Sequence, residues 1–432
     1  MYSMKKITLF LLTALTVFNA SAQLQTDSEL KNLINASFNY FPKVKEAETA
    51  AKIAEEKLAL TELNKKPIVD FNTNYSLVMP KISFPINGRD FQFAPVNNIS
   101  SSVGINYSLY DFGKLIAVID KEKAELNISK HQIENVKAEL ANQVATVYFN
   151  IIYLKQLIPI QDSVIAFFNA NKTIAESRLK NGEAIKSEVL NIQSNIDQEE
   201  NKKLDLISAL EKQEVLLAYL CGKNNVSTSA FNSSMMEFEK TLQSNQQNIF
   251  NNAAIAISED NITVAKKELE IIKKSNKPSL SLHAGSGIRN GYVPEVNDLR
   301  FNYMAGVSFL VPVYDFGRKN QRLKMQQLAV HENEIAKEGL IESTNKDIKQ
   351  TKIEIHYATE KIKHAESQID AARIAQQIVA SQFQHGTATS LDIIAAATNV
   401  QKAGLAKLQS ELQLAVAVAA LAKTTGLEYW KN

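Results

Sequence analysis

The chain has 432 residues, with 48 Lys and Arg against 46 Asp and Glu, one cysteine, and only 14 Gly and 9 Pro. So even a charge balance gives no electrostatic reason to bind nucleic acid. The single cysteine, Cys221, excludes an intrachain disulfide. The length suits two or three domains, and the scarcity of Gly and Pro points to long, uninterrupted elements.

Residues 1–22 read as a secretory signal. Lys5 and Lys6 precede the apolar run Ile7 to Phe18, and Ala20-Ser21-Ala22 supplies small residues for cleavage before Gln23. The run is too short to span a bilayer, and beyond it no stretch approaches about 18 continuous apolar residues, so membrane-spanning helices are not expected. An exported chain of this kind is periplasmic, secreted or an outer-membrane β-barrel.

Asp27 to about Lys65 reads as one helix with Pro67 as its stop. From Ile68 to Leu77 the pattern alternates, with Val69, Phe71, Thr73, Tyr75 and Leu77 on one side and Asp70, Asn72, Asn74 and Ser76 on the other. Pro80 to Asn98, which holds the pair Asn87-Gly88, reads as a surface loop. Alternation resumes with Val103, Ile105, Tyr107 and Leu109 against Ser102, Gly104, Asn106 and Ser108. Strands of about ten residues, apolar on one face, are what a transmembrane barrel requires. A soluble sheet over a core gives the same alternation. The leader, the aromatics near strand ends and the duplication described next favour the barrel.

Tyr110, Asp111, Phe112 and Gly113 then mark a strand-to-helix junction, where Asp can cap the free N–H groups of a helix and Gly permits a sharp turn. After it, Ile133, Val136, Leu140, Val144, Val147, Ile151, Leu154 and Ile158 step by three or four and define one helix face. The helical pattern runs from about Leu115 to Lys180, nearly 100 Å at about 1.5 Å per residue. Pro159 predicts a kink or local break within it. Gly182 ends this helix, and a second helical run ends at Gly222.

The same plan recurs 204 positions later, where Tyr314, Asp315, Phe316 and Gly317 repeat the tetrapeptide. Gly386 and Gly426 match Gly182 and Gly222 at that offset, and Pro278 matches Pro67 at 211. The second pair of strands carries Leu280, Leu282 and Ala284, then Phe301, Tyr303, Ala305, Val307, Phe309 and Val311. Ile348, Ile355, Ile362 and Ile369 recur every seven residues with Ala358, Ala365 and Ala372 between them, as supercoiled helices do. The return helix keeps a heptad from Leu391 to Ala422. Fixed-offset similarity of this extent is a duplication. The expected organisation is a first repeat over 23–222, an irregular linker over 223–250 and a second repeat over 251–432. The fold class is mainly α with a transmembrane β-barrel portion.

Chemistry is hard to find. His131, His283, His331, His356, His364 and His385 form no ligand set; His356 and His364, eight apart with Glu360 between, read as solvated helix-surface residues. Met235-Met236 reads as packing. No nucleophile–base–acid constellation, phosphate-cradling loop or HExxH is present, so neither an enzyme nor a cofactor is expected.

The duplicated plan, the two junctions Leu109 to Gly113 and Val313 to Gly317, and the two glycine turns together resemble TolC-type outer-membrane efflux proteins over nearly the whole mature length. The turn stretches are Gly182 to Leu190 and Gly386 to Ile394. The resemblance implies a homotrimer whose four strands per chain close a twelve-stranded barrel in outer-membrane lipid, with a long periplasmic helical tunnel. It implies a passive exit duct working with a periplasmic adaptor protein and an inner-membrane pump of RND or ABC type. The turns would be adaptor-docking tips, with Gly182, Glu183, Lys186, Glu188, Gly386, Thr387 and Ser390 at the contact. Asp392 would ring a periplasmic gate, thinned because Ala395 stands where the family often has a second acid. Independently, four strands are too few to close a barrel, so the chain must oligomerise. An exported structural or adhesive coiled-coil protein is the rival, and it leaves four amphipathic strands without a purpose.

Overall fold

The computed structural model describes residues 29–86, 89–222 and 251–431. The signal at 1–22, the linker at 223–250 and Met235-Met236 lie outside the described residues.

Two helices, α1 over residues 29–40 and α2 over Pro42–Leu63, replace the one expected between Asp27 and Lys65. Pro42 is the reason. It disfavours helical backbone at Phe41 and, lacking an N–H, fits the first turn of the next helix. There follow β1 (Ile68–Leu77), β2 (Ser83–Ile86), β3 (Arg89–Gln92), β4 (Asn97–Tyr110), α3 (Lys114–Lys180) and α4 (Lys186–Cys221). The remainder is α5 (Ala253–Lys274), β5 (Ser279–Arg289), β6 (Arg300–Leu310), α6 (Arg318–Gln384) and α7 (Ser390–Thr425).

The chain forms two compact units, each drawn from both halves of the sequence. One takes residues up to 48, 131–256 and from 339 onward; the other takes 49–130 and 257–338.

In the second of these units four strands make one antiparallel sheet in the order β1-β4-β5-β6. The register lines up Phe71 with Val103, Val103 with Ser286 and Ser286 with Tyr303; the next row is Val69, Ile105, Ala284 and Ala305. Because side chains alternate across a strand, the apolar sets of all four strands fall on one face. Phe71, Tyr75, Tyr303, Val307 and Phe309 on that face are more than 60% exposed. The opposite face carries the polar cluster, where Asn106 Nδ2 donates to Asp70 at 3.1 Å and Asn106 Oδ1 lies 2.8 Å from His283 Nδ1, with Met304 an apolar exception within β6. Leu109 departs from the expected alternation. A bulge between Ser108 and Tyr110 leaves it without a cross-strand partner and sets Tyr110 opposite Leu280.

The expected loop from Pro80 to Asn98 contains a second, two-stranded sheet, β2 paired with β3, and the start of β4 at Asn97. Ile86 and Arg89 are partners, and the Asn87-Gly88 pair between them lies outside the described residues. That dipeptide is a strong short-range hairpin signal, and the prolines around it mask it.

The other unit is helical. Val144, Tyr148 and Ile151 of α3 are fully buried in one core with Leu217 and Leu220 of α4 and Ala415 and Ala419 of α7. Ile348, Ile355, Ala358 and Ile362 of α6 pack with Leu414, Val418 and Leu421 of α7, so the seven-residue repeat is the buried stripe. Helix α3 is assigned as one helix of 67 residues with Pro159 inside it, without the expected break. The apolar cluster of Leu154, Leu157 and Leu408 takes in Ile160 just beyond the position, and Ser163 Oγ donates to the Pro159 carbonyl at 2.8 Å. Packing on both sides outweighs the one lost backbone bond.

Helices α3 and α7 are each long and apolar enough, by length and composition, to cross a membrane, contrary to the sequence expectation. About half of each apolar window is buried within the chain (44% and 50%). Continuous apolar runs do not detect such windows, because isolated polar residues interrupt the run.

Candidate functional site: two junctions and two hairpin turns

Each strand-to-helix junction is built by its Asp. Asp111 accepts from Gly113 N at 3.0 Å and Leu115 N at 2.6 Å; Asp315 accepts from Gly317 N at 3.0 Å and Lys319 N at 3.0 Å. These donors are among those a helix start leaves free. The turn itself takes two left-handed residues, and only one is glycine. Phe112 and Phe316 have φ of 57° and 55°, followed by Gly113 at 78° and Gly317 at 79°. A ring contact accompanies the strained backbone both times, Tyr110 on Phe112 and Tyr314 on Phe316, each with centroids 4.6 Å apart. Tyr110, Tyr314 and Phe316 are exposed. Helix α5 braces both junctions from its end: Lys274 Nζ donates to the Gly113 carbonyl at 3.1 Å, and Asn276 Nδ2 to Asp315 at 2.8 Å. Asn276, then the Lys319 and Gly317 backbone donors, hold the Asp315 carboxyl below the usual carboxylate range.

The two turns close helices α3 and α6 in the same way. Gly182 and Gly386 have φ of 79° and 77°. Glu183 N returns to the Arg178 carbonyl at 2.8 Å and Thr387 N to the Gln382 carbonyl at 2.9 Å. A left-handed glycine just past the last turn satisfies the terminal carbonyls without steric cost. Glu183, Lys186 and Thr387 are exposed and Glu188 is half-buried. Ser390 is only 2% exposed. It shares a helix side with buried Ile393 and follows buried Ala388, so it belongs to the core beneath the turn and offers no contact surface.

The starts of the return helices differ. Thr389 caps α7 with a reciprocal box: Asp392 N donates to Thr389 Oγ1 at 3.3 Å, and Asp392 Oδ2 accepts from Thr389 N at 2.8 Å and from its hydroxyl at 2.7 Å. Those two donors hold the exposed Asp392 carboxyl below the usual range. At the start of α4, Ile185 offers no side-chain cap.

Sequence reasoning missed two groups. Arg178 lies over the Phe383 ring, with its Cζ 5.2 Å from the centroid. Gln161, Glu199 and Gln401, all buried, form a hydrogen-bonded triad linking α3, α4 and α7. Gln401 sits on the α7 heptad, where a polar residue in an apolar stripe is the available signal. Among the described residues no cluster of three or more His, Cys, Asp or Glu could hold a metal ion.

Comparison with known proteins agrees with this architecture. The family model for outer membrane efflux proteins matches residues 33–223 and 245–427. The outer membrane protein VceC from Vibrio cholerae superposes with a TM-score of 0.76 at 16% identity, covering 92% of this chain and 96% of its own. The Campylobacter jejuni CmeC outer membrane channel gives 0.75 at 14%, with 92% and 85% covered. The open state of the Neisseria gonorrhoeae MtrE outer membrane channel gives 0.72 at 16%, with 93% and 90% covered. None of the curated proteins compared matches in sequence. The family match spans both halves, with the junctions, the hairpin turns and all four long strands inside it, and the chain therefore belongs to the outer membrane efflux protein family.

Proposed function

We propose that the chain is the passive outer-membrane exit duct of a tripartite efflux or secretion system. Three copies close a twelve-stranded barrel, and the helical hairpins extend into the periplasm to meet an adaptor bound to an inner-membrane pump of RND or ABC type. The observation that carries this is the four-stranded sheet. Phe71, Tyr75, Val103, Ile105, Leu282 and Val307 share one face, Asp70, Asn74, Asn106 and His283 the other, and among the described residues β1 and β6 each have a single partner strand. Such a sheet has two open edges and a face suited to lipid; pairing β1 of one copy with β6 of the next removes both liabilities. The helical unit also favours assembly, since α6 exposes Ile353, Tyr357, Ile374 and Ile378 away from its own core.

In this reading Gly182 and Gly386 shape the docking tips, with Glu183, Lys186 and Thr387 as contact residues and Glu188 behind them. Asp392 faces the threefold axis as a gate carboxylate. Envelope fractionation followed by planar-bilayer recording tests the duct. The protein should stay with the outer membrane through salt extraction and give uniform channel events as an unheated trimer. Extraction by salt, or trimers without channel activity, would overturn it.

A further inference from the structure

We propose that Arg178 is the positioning residue that holds the two hairpin turns of one chain together as a single docking end. The proposal rests on the reading that these turns receive the adaptor. Arg178 lies in the last turn of α3, at a surface turn, yet its side chain is only 13% exposed. Its Nη1 donates to the Phe383 backbone carbonyl at 3.3 Å and its Nη2 to the Glu183 carbonyl at 3.4 Å. The guanidinium plane covers the Phe383 ring, and Glu188 Oε2 lies 3.9 Å from Nη1. One side chain thus touches the first turn, the start of α4 and the end of α6.

The chemistry of the group suits this task. A guanidinium carries a rigid fork of donors and a flat face, so it can bond two carbonyls and stack on a ring at once; an ammonium cannot. The carbonyl it reaches on Phe383 is also the acceptor of Gly386 N at 3.1 Å, the bond that closes the second turn. Phe383 itself is fully buried, so the anchor is fixed. Glu188 Oε2 is buried with no hydrogen-bond donor, which leaves the Arg178 charge as its compensation.

The duplication makes the link one-directional. The position equivalent to Arg178 is Gln382, which is exposed, and the position equivalent to Phe383 is Leu179. Of these two equivalent positions only Arg178 carries a guanidinium, so this polar link runs from the first turn to the second, above the apolar core that the two hairpins share.

The test uses full-length trimers in which one chain carries spin labels at Glu183 and Thr387. Arg178→Gln and Arg178→Lys are each expected to lose the single narrow distance between the labels, Lys despite its charge, while trimer yield stays at the wild-type level. Phe383→Leu, which keeps the backbone carbonyl and apolar bulk, should broaden the distance partially and carries the test if the Arg178 variants do not assemble. An unchanged distance in the variants overturns the proposal. Docking is read separately with a photocrosslinker at Lys186 or Thr387 in intact cells. Adducts in the wild type that are lost from both turns in Arg178→Gln support the proposal in full. A wild type without adducts at either turn overturns the docking reading, and the label distances still decide the coupling.

Discussion

Glu188 and Asp392 stand at equivalent positions of the two halves, yet Glu188 aims its carboxylate at Arg178 while Asp392 folds its own back onto Thr389. The residue three positions earlier decides this. Thr389 has a hydroxyl and completes a capping box; Ile185 has none, which leaves Glu188 free for another partner. The Asp392 charge survives its capping role and can also act at a shared mouth, where like carboxylates attract cations. Asp392→Asn keeps size and an acceptor and removes that charge. The expected outcome is weaker cation selectivity in single-channel reversal potentials, with trimer level unchanged. The two capping donors favour the ionised Asp392 carboxyl, so wild-type selectivity should persist through mild acid and be lost only as pH falls below the ordinary aspartate range. Unchanged selectivity in the variant would return Asp392 to a helix cap alone.

The sheet makes a two-sided prediction. Phe71 and Val307 lie on the apolar face, and Asn74 is on the other side of the same sheet. Arg at Phe71 or Val307 should cost about 2–4 kcal/mol near the bilayer midplane, visible as loss of heat-modifiable trimer on gels. Arg at Asn74 should leave trimer yield close to wild type. Asn106 is a poorer control, since it bonds Asp70 and contacts His283. Equal defects on both faces would remove the lipid-facing assignment.

Much of this fold was legible because periodicity reports burial directly. Ile348, Ile355 and Ile362 are buried at the spacing that announced them, and the strands paired in the register their alternation required. What was lost lies where one residue overrides a pattern. Pro42 splits a helix that composition alone carries through, and an extra residue at Leu109 breaks an alternation that looked regular. At the turns, the glycines mark where helices end, but Arg178 reads as an ordinary last-turn cation. Its contact with Phe383 spans 205 residues, a separation that no local pattern carries.

Phe316 should invert an ordinary rule. Its backbone is left-handed, a conformation that costs a residue with a Cβ about 1–2 kcal/mol, and its ring gains about 0.5–1.5 kcal/mol against Tyr314. Phe316→Ala removes the ring contact and keeps the strain. Phe316→Gly removes both, so it should exceed Ala in trimer melting temperature, although glycine usually lowers stability elsewhere. An Ala variant as stable as the Gly variant would show that the junction relaxes out of the left-handed turn.

The last prediction concerns the charge inside the helical unit. Glu199 is 6% exposed, and its Oε2 accepts from Gln161 Nε2 at 2.6 Å and Gln401 Nε2 at 2.7 Å. Gln161 Nε2 also donates to the Glu199 backbone carbonyl at 2.8 Å, and Gln401 Nε2 to Gln161 Oε1 at 2.9 Å. Each amide therefore uses both its hydrogens, and one of each depends on the Glu199 side chain. Glu199→Gln can present its carbonyl oxygen to the same two donors and gives up mainly charge assistance and the partly exposed Lys202, a loss of about 1 kcal/mol. Glu199→Leu leaves two buried N–H groups unpaired, at about 1–3 kcal/mol each. Thermal melting should therefore rank wild type, Gln, then Leu. Burial pushes the Glu199 carboxyl up, but bonds from Lys202, Gln161 and Gln401 outweigh it and hold the group below its ordinary range. A depressed folded value means the contribution is present above the unfolded value and lost as pH falls through the folded one. The stability gap between wild type and Glu199→Gln should accordingly persist at neutral pH and close only under strong acid. Leu and Gln variants of equal stability would mean that the two glutamines find other partners, and the triad would then be packing without a demand for the carboxylate.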